Sequence, residues 1–131
     1  MGKQHTILIA DDEPNLLRAL KIRLESHGYR VVTASDGYQA LQQWRTHKPD
    51  LVLLDIHMPA GDGLSVHERV LNSPDIPPAP LIYMTSDRSL SLLKRADDMK
   101  ATGVLHKPIW GDEVLRILSS ILDKDQAAVR E

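Results

Sequence analysis

Residues 51–63 read LVLLDIHMPAGDG. Four aliphatic residues, Leu51–Leu54, run straight into a carboxylate, Asp55, and then into a Pro- and Gly-bearing loop, His57–Gly63. A short apolar run with no polar alternation, ended by loop residues, marks a strand buried on both faces, as in a parallel sheet. Four more runs rich in aliphatic and β-branched residues occur: Thr6–Ala10 (TILIA), Tyr29–Ala34 (YRVVTA), Leu81–Met84 (LIYM) and Val104–His106 (VLH). Helical periodicity fills the intervals. Pro14–His27 puts Leu16, Leu17, Leu20 and Leu24 on one stripe, with Pro14 near its start and Gly28 just past its end. Tyr38–Thr46 groups Ala40, Leu41 and Trp44, and Gly63–Leu71 groups Leu64, Val66, Val70 and Leu71. Ser89–Lys100 carries Leu90, Leu92, Leu93, Ala96 and Met99, and Gly111–Leu122 carries Val114, Leu115, Leu118, Ile121 and Leu122. Strand and helix alternate five times. That pattern predicts an α/β fold, a doubly wound five-stranded parallel sheet with helices on both faces and right-handed crossovers. Ser73–Pro80 (SPDIPPAP) reads as a loop open to motion.

The composition narrows the function classes. A chain of 131 residues with 42% hydrophobic and 26% charged residues is sized for one domain with its own core. The core is expected over about residues 6–122, with a polar tail at 123–131. Cysteine is absent, so there is no disulfide framework and no thiolate metal or redox site. Sixteen basic and 18 acidic residues leave a net charge of −2, which steers the surface towards neither nucleic acid nor anionic lipid. Two Trp, three Tyr and no Phe offer little stacking surface for single strands. No apolar run approaches the ~20 residues of a membrane span, and the opening MGKQHTILIADDE is unlike a secretory signal. A soluble, cytoplasmic domain is expected.

In an open parallel α/β sheet, ligands bind beyond the carboxyl ends of the strands. The residues there are Asp11, Asp12 and Glu13 after the first strand, Asp55 after the third, Thr85 and Ser86 after the fourth, and Lys107–Pro108 after the fifth. Two carboxylates ~5 Å apart at an effective dielectric of ~20 repel by ~3 kcal/mol. Asp11, Asp12 and Asp55 together therefore call for a cation, and hard oxygen donors favour Mg²⁺, with Mn²⁺ as the substitute. A carboxylate can act as a nucleophile and form an acyl phosphate. Phosphoryl transfer asks mainly for in-line positioning and charge neutralisation. Lys107 suits a phosphoryl oxygen as a point charge, and Thr85 can donate a hydroxyl hydrogen bond.

Taken together, ADDE at 10–13, LLDIHMPAGDG at 53–63, MTS at 84–86 and HKP at 106–108 resemble the receiver domain of two-component response regulators, of the chemotaxis type. The resemblance runs from about Thr6 to Leu122. It implies a flavodoxin-like (βα)₅ fold with strand order 2-1-3-4-5 and the first and fifth helices on one face. It also implies that a sensor histidine kinase or phosphotransfer protein phosphorylates Asp55. Asp11, Asp12 and Asp55, with the backbone carbonyl of His57, would hold Mg²⁺. Thr85 and Lys107 would bind the phosphoryl group and set the switch, and the Lys107–Pro108 bond would be cis. Such a domain is a switch that phosphorylates and dephosphorylates itself, not a turnover enzyme on a separate substrate. Its altered surface, the fourth helix with the fifth strand and helix, would be read by a downstream protein. It would be a monomer or a weak dimer through the fourth and fifth helices, with no direct contact to nucleic acid or membrane. No output module fits within the chain, which suits a stand-alone receiver or one cut from a larger regulator or hybrid kinase.

One departure stands out. The family often has an aromatic residue three before the lysine, which swings inward on activation; here that position is Val104. Activation is therefore expected to rely on Thr85 and the loop after the fourth strand. His57 and Asp87 are candidates for tuning dephosphorylation at the site mouth. Plainer readings stand beside these. Asp11 or Asp12 can cap the helix that Pro14 opens, and Ser86 or Asp87 can cap the fourth helix. His57 can be a solvent-facing loop residue, His106 an ordinary strand-end residue, and Asp62-Gly63 plain turn chemistry. Leu90 and Trp110 can face solvent. Two other function classes compete. A phosphotransferase of the haloacid-dehalogenase kind needs a second Asp two residues after the nucleophile, where this chain has His57. A phosphorylation-independent interaction module is usually marked by loss of the Asp or Lys, and both are present.

Overall fold

The computed structural model describes residues 4–123. The first three residues and positions 124–131 of the polar tail lie outside the described residues. Five strands alternate with five helices: β1 (Thr6–Ala10), α1 (Pro14–Glu25), β2 (Arg30–Ala34), α2 (Gly37–His47), β3 (Leu51–Asp55), α3 (Gly63–Leu71), β4 (Leu81–Thr85), α4 (Leu90–Asp98), β5 (Gly103–His106) and α5 (Gly111–Leu122). All pairings are parallel, and the sheet order is β2-β1-β3-β4-β5, as the resemblance implies.

The strands are apolar throughout because each face meets its own helical layer. Along β3, Leu51 and Leu53 join Ile7, Ile9, Leu20, Leu24, Val114 and Leu118, the layer of α1 and α5. Val52 and Leu54 join Leu8, Trp44, Val66, Val70 and Leu92, the layer of α2, α3 and α4. All five β3 residues are buried. This two-sided burial is what removes polar alternation from Leu51–Leu54.

Boundaries shift where capping decides them. The first helix ends at Glu25 rather than His27, because Ser26 turns its hydroxyl onto Arg23 O at 2.7 Å and Gly28 takes φ 90°. The fourth runs Leu90–Asp98, shorter than expected at both ends. Ser89 accepts from Leu92 N at its start, and Lys100 at φ 61° turns the chain at its end. The fourth-helix cap is thus Ser89, not Ser86 or Asp87. Asp62 caps α3 through Ser65 N at 2.8 Å, which is more than turn chemistry. Neither Asp11 nor Asp12 caps α1: Glu13 occupies that position and makes no side-chain cap bond. The 73–80 loop is anchored rather than loose. Ile76 is buried, and Trp44 Nε1 donates to Pro77 O at 2.9 Å. Among the described residues no helix is long and apolar enough to cross a membrane.

Candidate functional site at the carboxyl edge of the sheet

Parallel strands of matched length end on one edge, so their terminal residues converge. Asp55 and Thr85 close β3 and β4, and Asp11 and Lys107 follow β1 and β5 directly. The ladder continues past the strands and locks these positions. Asp11 N donates to Ala34 O at 3.0 Å, Ile56 N to Met84 O at 3.1 Å, and Lys107 N to Thr85 O at 2.8 Å. Backbone pairing thus sets the spacing of the acidic and basic side chains.

Asp11 is fully buried, Asp55 is 3% exposed, and Asp12 faces solvent. One carboxylate oxygen from each lies within 4.8 Å of the others. Lys107 Nζ reaches Glu13 Oε1 at 2.8 Å, Asp11 Oδ2 at 2.9 Å and Asp55 Oδ2 at 3.4 Å. Three carboxylates thus surround one ammonium. Burial, and then the Asp11 charge, push the Asp55 carboxyl up from 3.8 to about 6, against the opposing pull of Lys107 and the His57 amide. Burial works against the Lys107 ammonium, but hydrogen bonds to Glu13 and Asp11 and the charges of Asp11 and Asp55 outweigh it and raise its pKa.

These residues fit a divalent cation. The buried Asp11 Oδ2 has the Lys107 ammonium as its one ion-pair partner among the described residues. Its other oxygen accepts from Glu13 N at 2.9 Å, which orients the carboxylate. Three hard oxygen donors, short of positive charge and partly open through Asp12, match Mg²⁺.

Thr85 is fully buried, and its Oγ1 accepts from Asp87 N at 3.0 Å, which leaves the hydroxyl hydrogen free to donate. Asp87 in turn accepts from Ser89 N at 2.8 Å. Hydrogen bonds from Ser89 hold the Asp87 carboxyl below its ordinary range, with help from the nearby His57 and His106. His57 is exposed at the mouth, and its amide donates to Asp55 Oδ1 at 3.2 Å. His106 is half-buried with an unpartnered Nε2. Val104 is half-buried, opposite Tyr83 in the ladder. The Lys107–Pro108 bond is cis. Leu90 (82%) and Trp110 (65%) are both exposed.

One buried polar pair escaped the reading of the sequence. Tyr83 Oη and His67 Nδ1 lie 2.6 Å apart under α3, and Met99 Sδ stands 3.8 Å from the same hydroxyl. Burial lowers the His67 pKa, so the ring is a neutral partner for the hydroxyl. A signal existed: His67 falls three residues from both Leu64 and Val70, on the buried stripe of α3.

Comparison with known proteins agrees with this fold. The response regulator receiver domain family matches residues 7–119. Among curated relatives, the response regulator GtcR of Aneurinibacillus migulanus is 44% identical over 95 residues, covering 71% of this chain and 39% of that protein. The transcriptional regulatory protein KdpE of Mycobacterium tuberculosis is 36% identical over 122 residues, covering 93% of this chain and 53% of that protein. The chain thus spans about half, or less, of the length of these relatives. A CheY-like receiver domain protein of Methanospirillum hungatei superposes with a TM-score of 0.85 at 25% identity, covering 96% of this chain and 99% of that one. A chain of the CheX–CheY–BeF₃–Mg²⁺ complex of Borrelia burgdorferi superposes with a TM-score of 0.80 at 26% identity, covering 90% and 89% of the two chains. The chain belongs to the receiver-domain family of two-component response regulators, whose members act as phosphorylation switches and bind Mg²⁺ in an acidic pocket.

Proposed function

We propose that this domain accepts a phosphoryl group onto Asp55 and passes the signal on through a changed surface. The observation that carries the reading is the setting of the Asp55 carboxylate. It is buried at the end of β3, beside two further carboxylates and 3.4 Å from Lys107 Nζ. A nucleophile placed among cation-binding groups suits in-line phosphoryl transfer. An Asp55 oxygen attacks the phosphorus of a phosphohistidine on a sensor kinase or phosphotransfer protein. The new O–P bond forms as the N–P bond breaks, and the imidazole leaves. Asp11, Asp12, Asp55 and the His57 carbonyl would hold Mg²⁺, which supplies charge neutralisation at the phosphoryl oxygens. Lys107 takes one phosphoryl oxygen by charge, exchanging part of its present pairing with Asp11 and Glu13. Thr85 donates its free hydroxyl hydrogen to another.

Thr85 is tied to Asp87, and Asp87 to the Ser89 cap of α4. Movement of Thr85 towards the phosphoryl group therefore pulls on the start of α4. That chain of bonds supports a relay through α4, β5 and α5, where Leu90 and Trp110 stand exposed. Val104 has no ring to swing, so the relay runs through the loop. His57 and Asp87 flank the mouth and modulate access of water, hence hydrolysis. A downstream protein reads the surface, and any self-association runs weakly through α4 and α5. The cycle needs no separate substrate, and it takes place in the cytoplasm, where two-component kinases present their phosphohistidine. Addition of beryllofluoride with Mg²⁺ tests the switch. Amide resonances of Thr85–Ser89 and the first turn of α4 should shift. Shifts confined to residues 55–58 would count against the relay.

A further inference from the structure

The loop that leaves Asp55 is pinned from two sides, and one pin lies in another helix. Near Asp55, Gly63 N donates to Ile56 O at 2.8 Å. Farther along, Gly37, the first residue of α2, donates its amide to Pro59 O at 3.0 Å. Gly37 has no room for a side chain. A Cβ there would stand 2.6 Å from the Ala60 carbonyl oxygen and closer still to that of Gly61. Both obstacles are backbone, so neither moves aside as a side-chain tip would. The loop itself is stiff at that point. Ala60 holds φ 54° and Gly61 holds φ 107°, a left-handed pair in which Ala60 already bears a cost. Pro59 is only two residues past His57, whose amide donates to Asp55 Oδ1 at 3.2 Å.

We infer that Gly37 is a positioning residue for the phosphorylation site: its missing side chain lets α2 seat the Pro59–Gly61 backbone, which fixes the His57 backbone beside Asp55. Gly37 touches none of the reacting groups. Its effect passes back along the loop from Pro59 to His57. A β-carbon at 37 must part α2 from the loop, whose other ties are the His57 to Asp55 bond on one side and the Asp62 cap and the Gly63 to Ile56 bond on the other. The inference rests on the proposed function in taking the His57 carbonyl as facing the metal.

The test compares Gly37→Ala with Gly103→Ala, where an added Cβ meets nothing within 4 Å. Amide spectra are recorded first without metal, then through a Mg²⁺ titration, and adduct formation with acetyl phosphate is timed at low and saturating Mg²⁺. In Gly37→Ala the amides of His57, Met58, Ala60 and Gly61 should move before any metal is added. Mg²⁺ affinity should fall about tenfold, the usual scale for losing a group that orients a metal ligand. Saturating Mg²⁺ should restore most of the adduct rate, because the three carboxylates are untouched. Gly103→Ala should stay within about twofold of wild type throughout. A folded Gly37→Ala with wild-type loop amides and wild-type Mg²⁺ affinity overturns the inference, as does a lowered melting temperature with no change in affinity. If Gly37→Ala does not fold, wild type decides. Mg²⁺ should slow hydrogen exchange at the Gly37 amide together with the loop amides, and an unaffected Gly37 amide overturns the inference. Wild type that binds no Mg²⁺ would defeat the functional reading, and the metal-free loop amides of Gly37→Ala would then still decide this one.

Discussion

At the scale of single residues, the site keeps its charges at a cost, and pH exposes that cost. The Asp55 carboxyl titrates at about 6 in the folded, metal-free protein, against 3.8 as its ordinary value. A raised folded-state value means that the folded form binds the extra proton in the window between the two. The penalty is therefore in force above pH 6 and is relieved as pH falls from about 6 towards 4. Asp55→Asn removes it. Urea unfolding without Mg²⁺ at pH 7 should find the variant more stable by about 1–3 kcal/mol, two pH units at 1.36 kcal/mol each being the upper bound. The gap should narrow at pH 5. His67 carries the opposite sign. Burial depresses its folded-state pKa, so its contribution is complete above the ordinary value and is lost as pH falls below it. Tyr83→Phe, which strips the buried His67 ring of its partner, should cost about 1–3 kcal/mol at pH 7 by the same unfolding measurement. His67→Gln should flatten the acid limb that wild type shows below about pH 6.5.

At the scale of elements, caps and close backbone contacts rank above periodicity. The five apolar runs and five helical stripes were legible because each reports burial directly. The exact ends were not, because they depend on single side chains turning back onto the chain. Ser89 rather than Ser86 starts α4, and only the Leu92 amide on its hydroxyl reveals it. Ser89→Ala should destabilise by about 1 kcal/mol and speed hydrogen exchange in the first turn of α4, with the rest of the sheet unaffected. The SPDIPPAP segment shows the same limit. Its Pro content suggested looseness, yet Ile76 is buried and Trp44 bonds Pro77 across 33 positions. A contact of that span leaves no local pattern. Gly37 belongs here too, since its meaning lies in the Pro59–Gly61 backbone that it meets.

At the scale of the whole molecule, the parallel sheet explains why the candidate site is legible in the sequence. A two-sided sheet confines ionised residues to its edges, so Asp11, Asp12, Asp55, Thr85 and Lys107 stand out against apolar strands. Strand order then brings them together, with β1 and β3 adjacent at the centre and β4 and β5 beyond. What stayed hidden was the interior polar pairing of His67 with Tyr83, because a histidine on a buried stripe gives no sign of its partner. In the proposed function, phosphate enters at Asp55, in this acidic setting. Intact mass spectrometry after acetyl phosphate, with and without Mg²⁺, on wild type and Asp55→Asn, tests it most directly. Wild type should carry one phosphoryl adduct, dependent on Mg²⁺ and absent from Asp55→Asn. An adduct of equal yield on Asp55→Asn, or none on folded wild type with Mg²⁺ present, would contradict it.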